Sequence, residues 1–230
     1  MDNSTVLGTS IFKSRAGEGG NISRRLYNLV LGGCLLWGFV FNLFIVIFFG
    51  DAIFAFAASG TANYILFIVG YFVCAIAGIT ISVKSVKPSM SFLGYNLVVL
   101  PLGATLSIIL KAYPVMTITY AFGATAILTL LMIALSVAFP RFFLSIGRGL
   151  FISLLCIILI EIVAIFLFRI NFTIIDIAVA VIFCGYIGFD WARAQLIPST
   201  VDNAVDSACA LYVDIVNLFV RLLRILGRSR

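Results

Sequence analysis

Two carboxylates, Asp190 and Asp214, lie inside the last two long apolar runs of the sequence. An acid at membrane depth costs roughly 2.5–3.5 kcal/mol on insertion scales, so such residues are candidate functional groups. A short connection joins the two runs, so the two side chains can face each other. Two carboxylates in contact in a poorly hydrated site cannot both ionise freely, and they titrate as a pair. The pair can hold one proton, or exchange protons for a hard divalent cation that takes oxygen ligands, which predicts a pH sensor and a metal site.

The last run also carries a polar stripe, because its polar and small residues follow steps of three and four: Asn203, Asp206, Ala210, Asp214, Asn217, Arg221 and Arg224. A helix with this stripe cannot face lipid on all sides, so we expect it inside a bundle with its polar face on a cavity or on polar partners.

Other charged residues complete the candidate site. Glu161 lies in the middle of the fifth run and, with Asp206 and Asn217, is assigned to an ion path. The alternatives are a structural hydrogen bond for Glu161 and a solvated position at a helix start for Asp206. Arg193, three residues after Asp190, can form a local ion pair with it. The remaining acids of interest, Asp51 and Asp176, lie at the outer ends of runs and are expected to be solvated.

The composition identifies an integral membrane protein. Of the 230 residues, 63% are hydrophobic and 10% are charged, and the mean hydropathy is +1.22, whereas soluble domains average about 25% charged residues. The sequence contains no histidine and therefore no Ser/His/Asp or Cys/His set. We predict no enzyme activity and no cofactor. The basic residues lie between apolar runs and at the ends, which indicates contact with a lipid bilayer and not with nucleic acid.

Seven apolar runs are long enough to span a bilayer as helices. They cover residues 26–49, 62–83, 90–110, 114–138, 148–168, 173–194 and 204–226. The fold class predicted from them is an all-α membrane protein, with a polar tail over residues 1–25 and a seven-helix transmembrane domain over residues 26–227. Turn residues such as Gly50-Asp51 and Pro140-Arg141 mark the breaks between runs.

The distribution of basic residues predicts a cytosolic N-terminus. With that orientation the outer loops carry only Lys111 and Arg169, and the inner side carries Lys13, Arg15, Arg24, Arg25, Lys84, Lys87, Arg141, Arg148 and Arg193. The arginines at the end of the seventh run would then lie outside, against the rule. Either that run crosses the membrane or it enters and returns. We favour crossing, because residues 204–226 contain no Gly or Pro at which to turn.

Three segments resemble the Bax inhibitor-1 family of transmembrane Bax-inhibitor-motif proteins. The segment Ala210–Gly227, ALYVDIVNLFVRLLRILG, resembles the closing Leu-Tyr-x-Asp-x-x-Asn-Leu-Phe pattern of the family and its basic, leucine-rich tail. The segment Ile182–Gln195 resembles the sixth span of the family, which ends in an aromatic residue followed by Asp-x-x-x-x-Gln. The segment Tyr120–Ala126 resembles its Ala-Phe-x-x-Thr-Ala signature. The resemblance covers most of the chain from about Arg24 onward.

The resemblance implies a seven-helix bundle in which six helices wrap the last one. It also implies a pH-sensitive calcium leak regulated by two aspartates on the last two helices, which by motif match are Asp190 and Asp214. Family members carry a basic latch residue on the second span. This sequence has none within that span, and the candidate substitutes are Lys84 at its inner end, Arg193 and Arg221.

The leading functional prediction is therefore a pH-gated Ca²⁺ leak in a plasma or bacterial inner membrane. One alternative is a non-conducting regulator that binds a membrane protease or a cell-death factor through its basic tail after Leu226 and its N-terminal tail. Bacterial members of the family are linked to membrane quality-control proteases, which agrees with that alternative. A second alternative is an H⁺-coupled cation transporter.

Overall fold

The computed structural model describes residues 20–167 and 172–228, which form seven helices and no strand. In chain order these are α1 (Arg24–Ala58), α2 (Thr61–Lys84), α3 (Pro88–Leu110), α4 (Val115–Ala138), α5 (Pro140–Leu167), α6 (Phe172–Leu196) and α7 (Val201–Arg228). Each coincides with one predicted apolar run. The prediction of an all-α membrane protein is confirmed.

Most of the predicted tail, residues 1–25, falls outside the described residues, as do Lys13, Arg15 and Arg169. The described chain enters α1 through Ser23, whose side-chain Oγ accepts a hydrogen bond from the N–H of Leu26 at 3.2 Å. A serine at this position satisfies one of the N–H groups that a helix start leaves unpaired. The assignment of residues 1–25 to a cytosolic tail stays a prediction.

Two helices are longer than predicted. The expected break at Gly50-Asp51 is wrong, because α1 continues to Ala58 with Gly50 buried close to Ser107 of α3. This contact with α3 outweighs the low helix propensity of glycine. The fifth helix begins at Pro140 and not near residue 148. Proline fits a first helical turn, since its missing N–H would have no partner there.

Six of the described helices, α1 to α6, are long and apolar enough to span a membrane. The polar stripe of α7 lowers its hydropathy, but the helix runs unbroken for 28 residues. Its polar and apolar faces are both buried by protein, as shown by Asn203, Asp214, Leu211 and Leu218. The expectation that this helix is covered by protein is confirmed, and its crossing of the bilayer stays a prediction.

The chain divides into two compact units, each of which contains part of α7. The N-terminal unit contains α1, α2 and α3 together with Ile197–Tyr212. The C-terminal unit contains α4, α5 and α6 together with the rest of α7, from Val213 onward. Long-range contacts within each unit therefore include residues that are far apart in the sequence.

In the N-terminal unit, α3 packs against both α1 and α2. Gly78 of α2 and Gly94 of α3 allow this approach, because a Cβ atom at Gly78 would lie 2.5 Å from the carbonyl oxygen of Gly94.

Hydrogen bonds attach the first half of α7. Tyr27 Oη and Ser207 Oγ are 2.9 Å apart, and Ser91 Oγ donates to Asp202 Oδ1 at 2.6 Å. These four buried polar side chains are thus paired across the helices, which lowers the cost of burying them.

In the C-terminal unit, α6 packs against α4 and α5. Phe189 of α6 lies against Gly147 of α5, and Phe143 of α5 lies against Gly188 of α6. Ser136 of α4 donates a 2.6 Å hydrogen bond to the carbonyl oxygen of Gly188. These contacts surround the two residues before Asp190 and so fix the position of that carboxylate on α6.

Candidate functional site

The structure brings the side chains of Asp190 and Asp214 together within the C-terminal unit. The carboxyl group of Asp190 on α6 lies within hydrogen-bonding reach of the carboxyl group of Asp214 on α7. Both are shielded from solvent: 12% of the Asp190 side chain is exposed, and 6% of Asp214. Two acids this close and this buried can share one proton, since the doubly ionised state combines desolvation with like-charge repulsion.

Arg193 is the cation beside this pair. Its Nη1 lies 3.6 Å from Asp190 Oδ1, one turn along α6, and 4% of the arginine is exposed. The guanidinium therefore offsets part of the negative charge of the pair from within the same helix. Tyr186, one turn before Asp190, is close enough to interact electrostatically with both carboxylates. Among the described residues, two acids, one cation and one phenol thus form the site.

One carboxylate oxygen of the pair makes no hydrogen bond within the described part of the chain. Asp214 Oδ2 is buried and has no hydrogen-bond partner among the described residues. A buried acceptor without a partner is costly unless a proton, water or ion satisfies it. The described residues contain no group of three or more acidic, cysteine or histidine side chains that could hold a metal. A divalent ion at Asp190 and Asp214 would have to complete its oxygen shell with water or backbone carbonyls.

The three candidate latch residues occupy different surroundings. Arg193 contacts Asp190, as described. Lys84 is exposed at the end of α2 in the N-terminal unit. Arg221 lies on α7 two turns beyond Asp214 and is bound to other acids. Of the three, Arg193 is the one that the structure places against the aspartate pair.

Arg221 belongs to an ion-pair cluster formed by Glu161, Asp176, Arg221, Arg224 and Arg228. Arg221 Nη2 donates to Glu161 Oε2 at 3.2 Å, and Nη1 donates to Asp176 Oδ1 at 2.8 Å and also contacts Glu161 Oε1. Arg228 Nη1 donates to Asp176 Oδ2 at 2.8 Å, and Arg224 Nη1 is 3.7 Å from Asp176 Oδ1. The cluster ties the end of α7 to α5 and α6.

The expectation that Asp176 is solvated is wrong, because 1% of this residue is exposed and its oxygens face three arginines. A signal for this was present in the sequence. Arg221, Arg224 and Arg228 follow steps of three and four, so they form one basic face that requires acidic partners at the same level of the bundle. Asp176 begins the neighbouring span at that level.

The remaining ion-path candidates are also engaged or enclosed. The Glu161 carboxylate is paired with the guanidinium of Arg221, so a cation could bind to it only after this ion pair breaks. Asn217 Nδ2 donates to the carbonyl oxygen of Val213 at 2.8 Å, one turn back on its own helix. Asp206 is buried in the N-terminal unit, which rules out a solvated helix-start position. The role of all three on an ion path stays a prediction.

Comparison with known proteins agrees with the motifs. Residues 20–230 match the model of the family described as inhibitor of apoptosis-promoting Bax1. An uncharacterized protein of Helicobacter pylori is 29% identical over 108 residues, which is 46% of this chain and 46% of that protein. An uncharacterized membrane protein of Streptococcus pyogenes serotype M3 is 28% identical over 134 residues, which is 55% of this chain and 58% of that protein.

The chain thus spans about half the length of the relatives that it matches. The family model, in contrast, covers nearly all of this chain. The helical architecture and the six apolar spans agree with a multi-pass membrane protein. The chain belongs to the Bax inhibitor-1 family of integral membrane proteins.

Proposed function

We propose that the protein is a passive calcium leak whose conductance is set by the protonation of Asp190 and Asp214. The observation that carries the proposal is the contact between these two buried carboxyl groups, with one oxygen of Asp214 unpartnered among the described residues. A buried pair of acids responds to pH without histidine, which this chain lacks.

The contact supports a switch with two states. When the pair holds one proton, a hydrogen bond can join the two carboxyl groups and hold α6 against α7. When that proton is lost, two like charges face each other in a poorly solvated site and repel. The repulsion would move α6 relative to α7 at this level, or recruit a divalent cation to neutralise both groups. In either case, loss of the proton changes the spacing of Asp190 and Asp214 or the ion bound between them.

The proposed setting is a plasma or bacterial inner membrane, with the N-terminus in the cytosol. The cluster around Asp176 supports this orientation, because it offsets part of the positive charge at the end of α7. With the N-terminus in the cytosol, the end of α7 lies outside, where unpaired arginines would oppose the positive-inside rule. Three of those arginines face Glu161 or Asp176, so much of their charge is neutralised within the protein.

The test is Ca²⁺ flux in liposomes as a function of external pH, with wild-type protein and the variants Asp190→Asn and Asp214→Asn. We expect each variant to flatten or displace the pH dependence, because an amide cannot take part in the proton exchange. Asp51→Asn is the matched control, since it makes the same chemical change at an exposed acid of α1. If both site variants keep the wild-type profile, the proposed sensor is wrong.

The same reconstitution distinguishes the alternatives. An H⁺-coupled transporter would accumulate Ca²⁺ against its gradient when a proton gradient is imposed, and a leak would not. A non-conducting regulator would give no flux at any pH and would retain a partner through its tails. The hydrogen bond between Arg228 and Asp176 weighs against the basic tail as a free docking segment.

A further inference from the structure

The ion-pair cluster at the end of α7 carries more positive than negative charge. Its arginines Arg221, Arg224 and Arg228 face two carboxylates, those of Glu161 and Asp176. Pairing with arginines favours the ionised form of both acids, which leaves one net positive charge among the described residues of the cluster. A charge without a counter-charge in a poorly solvated place attracts an anion from its surroundings.

The excess charge lies on Arg224. Both oxygens of Asp176 already accept hydrogen bonds at 2.8 Å, Oδ1 from Arg221 and Oδ2 from Arg228. Arg224 Nη1 is 3.7 Å from Asp176 Oδ1, which is too far for a hydrogen bond. Of the Arg224 side chain, 40% is exposed. Its guanidinium therefore keeps donors for a ligand on the exposed side of the cluster.

Arg228 extends this exposed side by one turn of α7. It follows Arg224 by four residues, so the two side chains lie on the same face of the helix. Although Arg228 Nη1 donates to Asp176, 43% of the Arg228 side chain is exposed. Two partly exposed guanidinium groups one turn apart suit a phosphate, whose oxygens can accept N–H groups from both.

The cluster lies next to the lipid-facing surface of the protein. Asp176 is in the first turn of the candidate span Thr173–Leu196 on α6, which puts the cluster close to the head groups of one leaflet. Ile174 and Ile177, before and after Asp176 in the sequence, are exposed, and in a membrane they contact lipid chains. Lipid phosphates are therefore the anions present at the highest concentration beside Arg224 and Arg228.

We propose that Arg224 and Arg228 bind the phosphate of a phospholipid whose net charge is negative. The negative charge of such a lipid balances the excess charge of the cluster. A zwitterionic lipid offers the same phosphate, but its ammonium group returns a positive charge to the cluster and weakens binding. The lipid would complete the set of ion pairs that ties the end of α7 to α5 and α6. This site is independent of ion conduction.

Native mass spectrometry of protein released from nanodiscs tests the site. In nanodiscs with equal amounts of phosphatidylglycerol and phosphatidylethanolamine, we expect wild-type protein to retain phosphatidylglycerol with several-fold enrichment. Arg224→Gln removes the excess charge and should bring the retained ratio close to that of the bilayer. Arg141→Gln is the matched control, because it removes the same charge from an exposed arginine at the start of α5 and should keep the wild-type enrichment.

Two results of this experiment would overturn the proposal. One is a wild-type protein without enrichment, and the other is the same enrichment in wild type and Arg224→Gln. If Arg224→Gln folds poorly, Arg224→Lys takes its place. Lysine keeps the positive charge but lacks the planar fork of donors, so we expect reduced enrichment, and full wild-type enrichment would contradict a phosphate held by two guanidinium groups.

The wild-type protein alone distinguishes a lipid from a free anion. Its melting temperature in detergent is measured with short-chain phosphatidylglycerol, short-chain phosphatidylcholine or inorganic phosphate at the same concentration. We expect phosphatidylglycerol to raise the melting temperature by several degrees and the other two to raise it little. Equal stabilisation by inorganic phosphate would assign the site to a free anion, and equal stabilisation by phosphatidylcholine would remove the selection by charge. Either result would overturn the proposal.

Discussion

Arg228 Nη1 donates a 2.8 Å hydrogen bond to Asp176 Oδ2, and this contact is in register with the contact between Asp190 and Asp214. Asp176 and Asp190 are fourteen residues apart on α6, and Asp214 and Arg228 are fourteen residues apart on α7. The two helices therefore run antiparallel with two electrostatic contacts about 21 Å apart, at 1.5 Å per residue. One contact is an attraction between opposite charges and the other brings like groups together.

The first prediction concerns Asp176 as the centre of the ion-pair cluster. Asp176→Asn removes the buried carboxylate that Arg221 and Arg228 share. Breaking a buried pair costs up to about 3–5 kcal/mol, and less here because Arg221 keeps Glu161 and 43% of the Arg228 side chain is exposed. We expect a clear fall in the melting temperature of the detergent-solubilised protein. Asp51→Asn breaks the exposed pair with Lys111 and should change the melting temperature little, because exposed pairs contribute little. Equal melting temperatures for both variants would show that the cluster does not stabilise the fold.

The second prediction concerns the coupling between Asp190 and Asp214. If the two groups titrate as one pair, then the double variant Asp190→Asn/Asp214→Asn should change the pH profile of Ca²⁺ flux no more than either single variant. Combining Asp190→Asn with Asp51→Asn provides the control, because the Asp51 carboxylate is exposed and paired with Lys111. Effects of the two site substitutions that simply add would mean that the aspartates act independently.

The third prediction concerns Arg193 as a competitor for cations. Its guanidinium lies 3.6 Å from Asp190 Oδ1 and opposes the approach of another positive charge. Arg193→Gln should therefore raise the affinity for Ca²⁺ several-fold, measured by displacement of bound Tb³⁺ and its luminescence. Arg141→Gln, which removes an exposed arginine of α5, is the matched control. Unchanged Tb³⁺ binding in Arg193→Gln would exclude the pair as a metal site that this arginine controls.

The fourth prediction concerns the crossing of α2 and α3. A Cβ atom at Gly78 would lie 2.5 Å from the Gly94 carbonyl oxygen, which is a backbone atom that cannot rotate away. Gly78→Ala should destabilise the protein by about 1–3 kcal/mol, as overpacking does in other cores. Gly32→Ala should be neutral or stabilising, because a Cβ atom there meets no neighbour within 4 Å and alanine favours the helix. The melting temperatures of the two variants, measured by thermal unfolding, test this prediction. Equal melting temperatures would contradict the tight crossing at Gly78.

The sequence predicts the helices well because membrane spans must satisfy their backbone hydrogen bonds within the segment. All seven runs become helices, and the stripe on α7 correctly indicates that protein covers this helix. The ends are predicted less well. The continuation of α1 past Gly50 depends on the packing of Gly50 against Ser107, and a contact between residues so far apart leaves no local pattern.

The candidate site shows the same division between local and long-range information. The approach of Asp190 to Asp214 follows from a short connection between two antiparallel helices. The surroundings of Asp176 and Glu161 do not follow in this way, because they depend on which arginines of α7 reach them. From the sequence, an acid at the end of a span such as Asp176 is expected to be solvated. The basic face of α7 has to be recognised as its partner before burial can be predicted.

The division of α7 between two units has a consequence for biosynthesis. Tyr27 finds its hydrogen-bonding partner Ser207 only after the ribosome has translated about 180 further codons. Neither unit has its full set of contacts until α7 has been translated, so α1 to α6 must wait in the bilayer with incomplete partners. A truncation upstream of α7 should therefore remove contacts from both units at once.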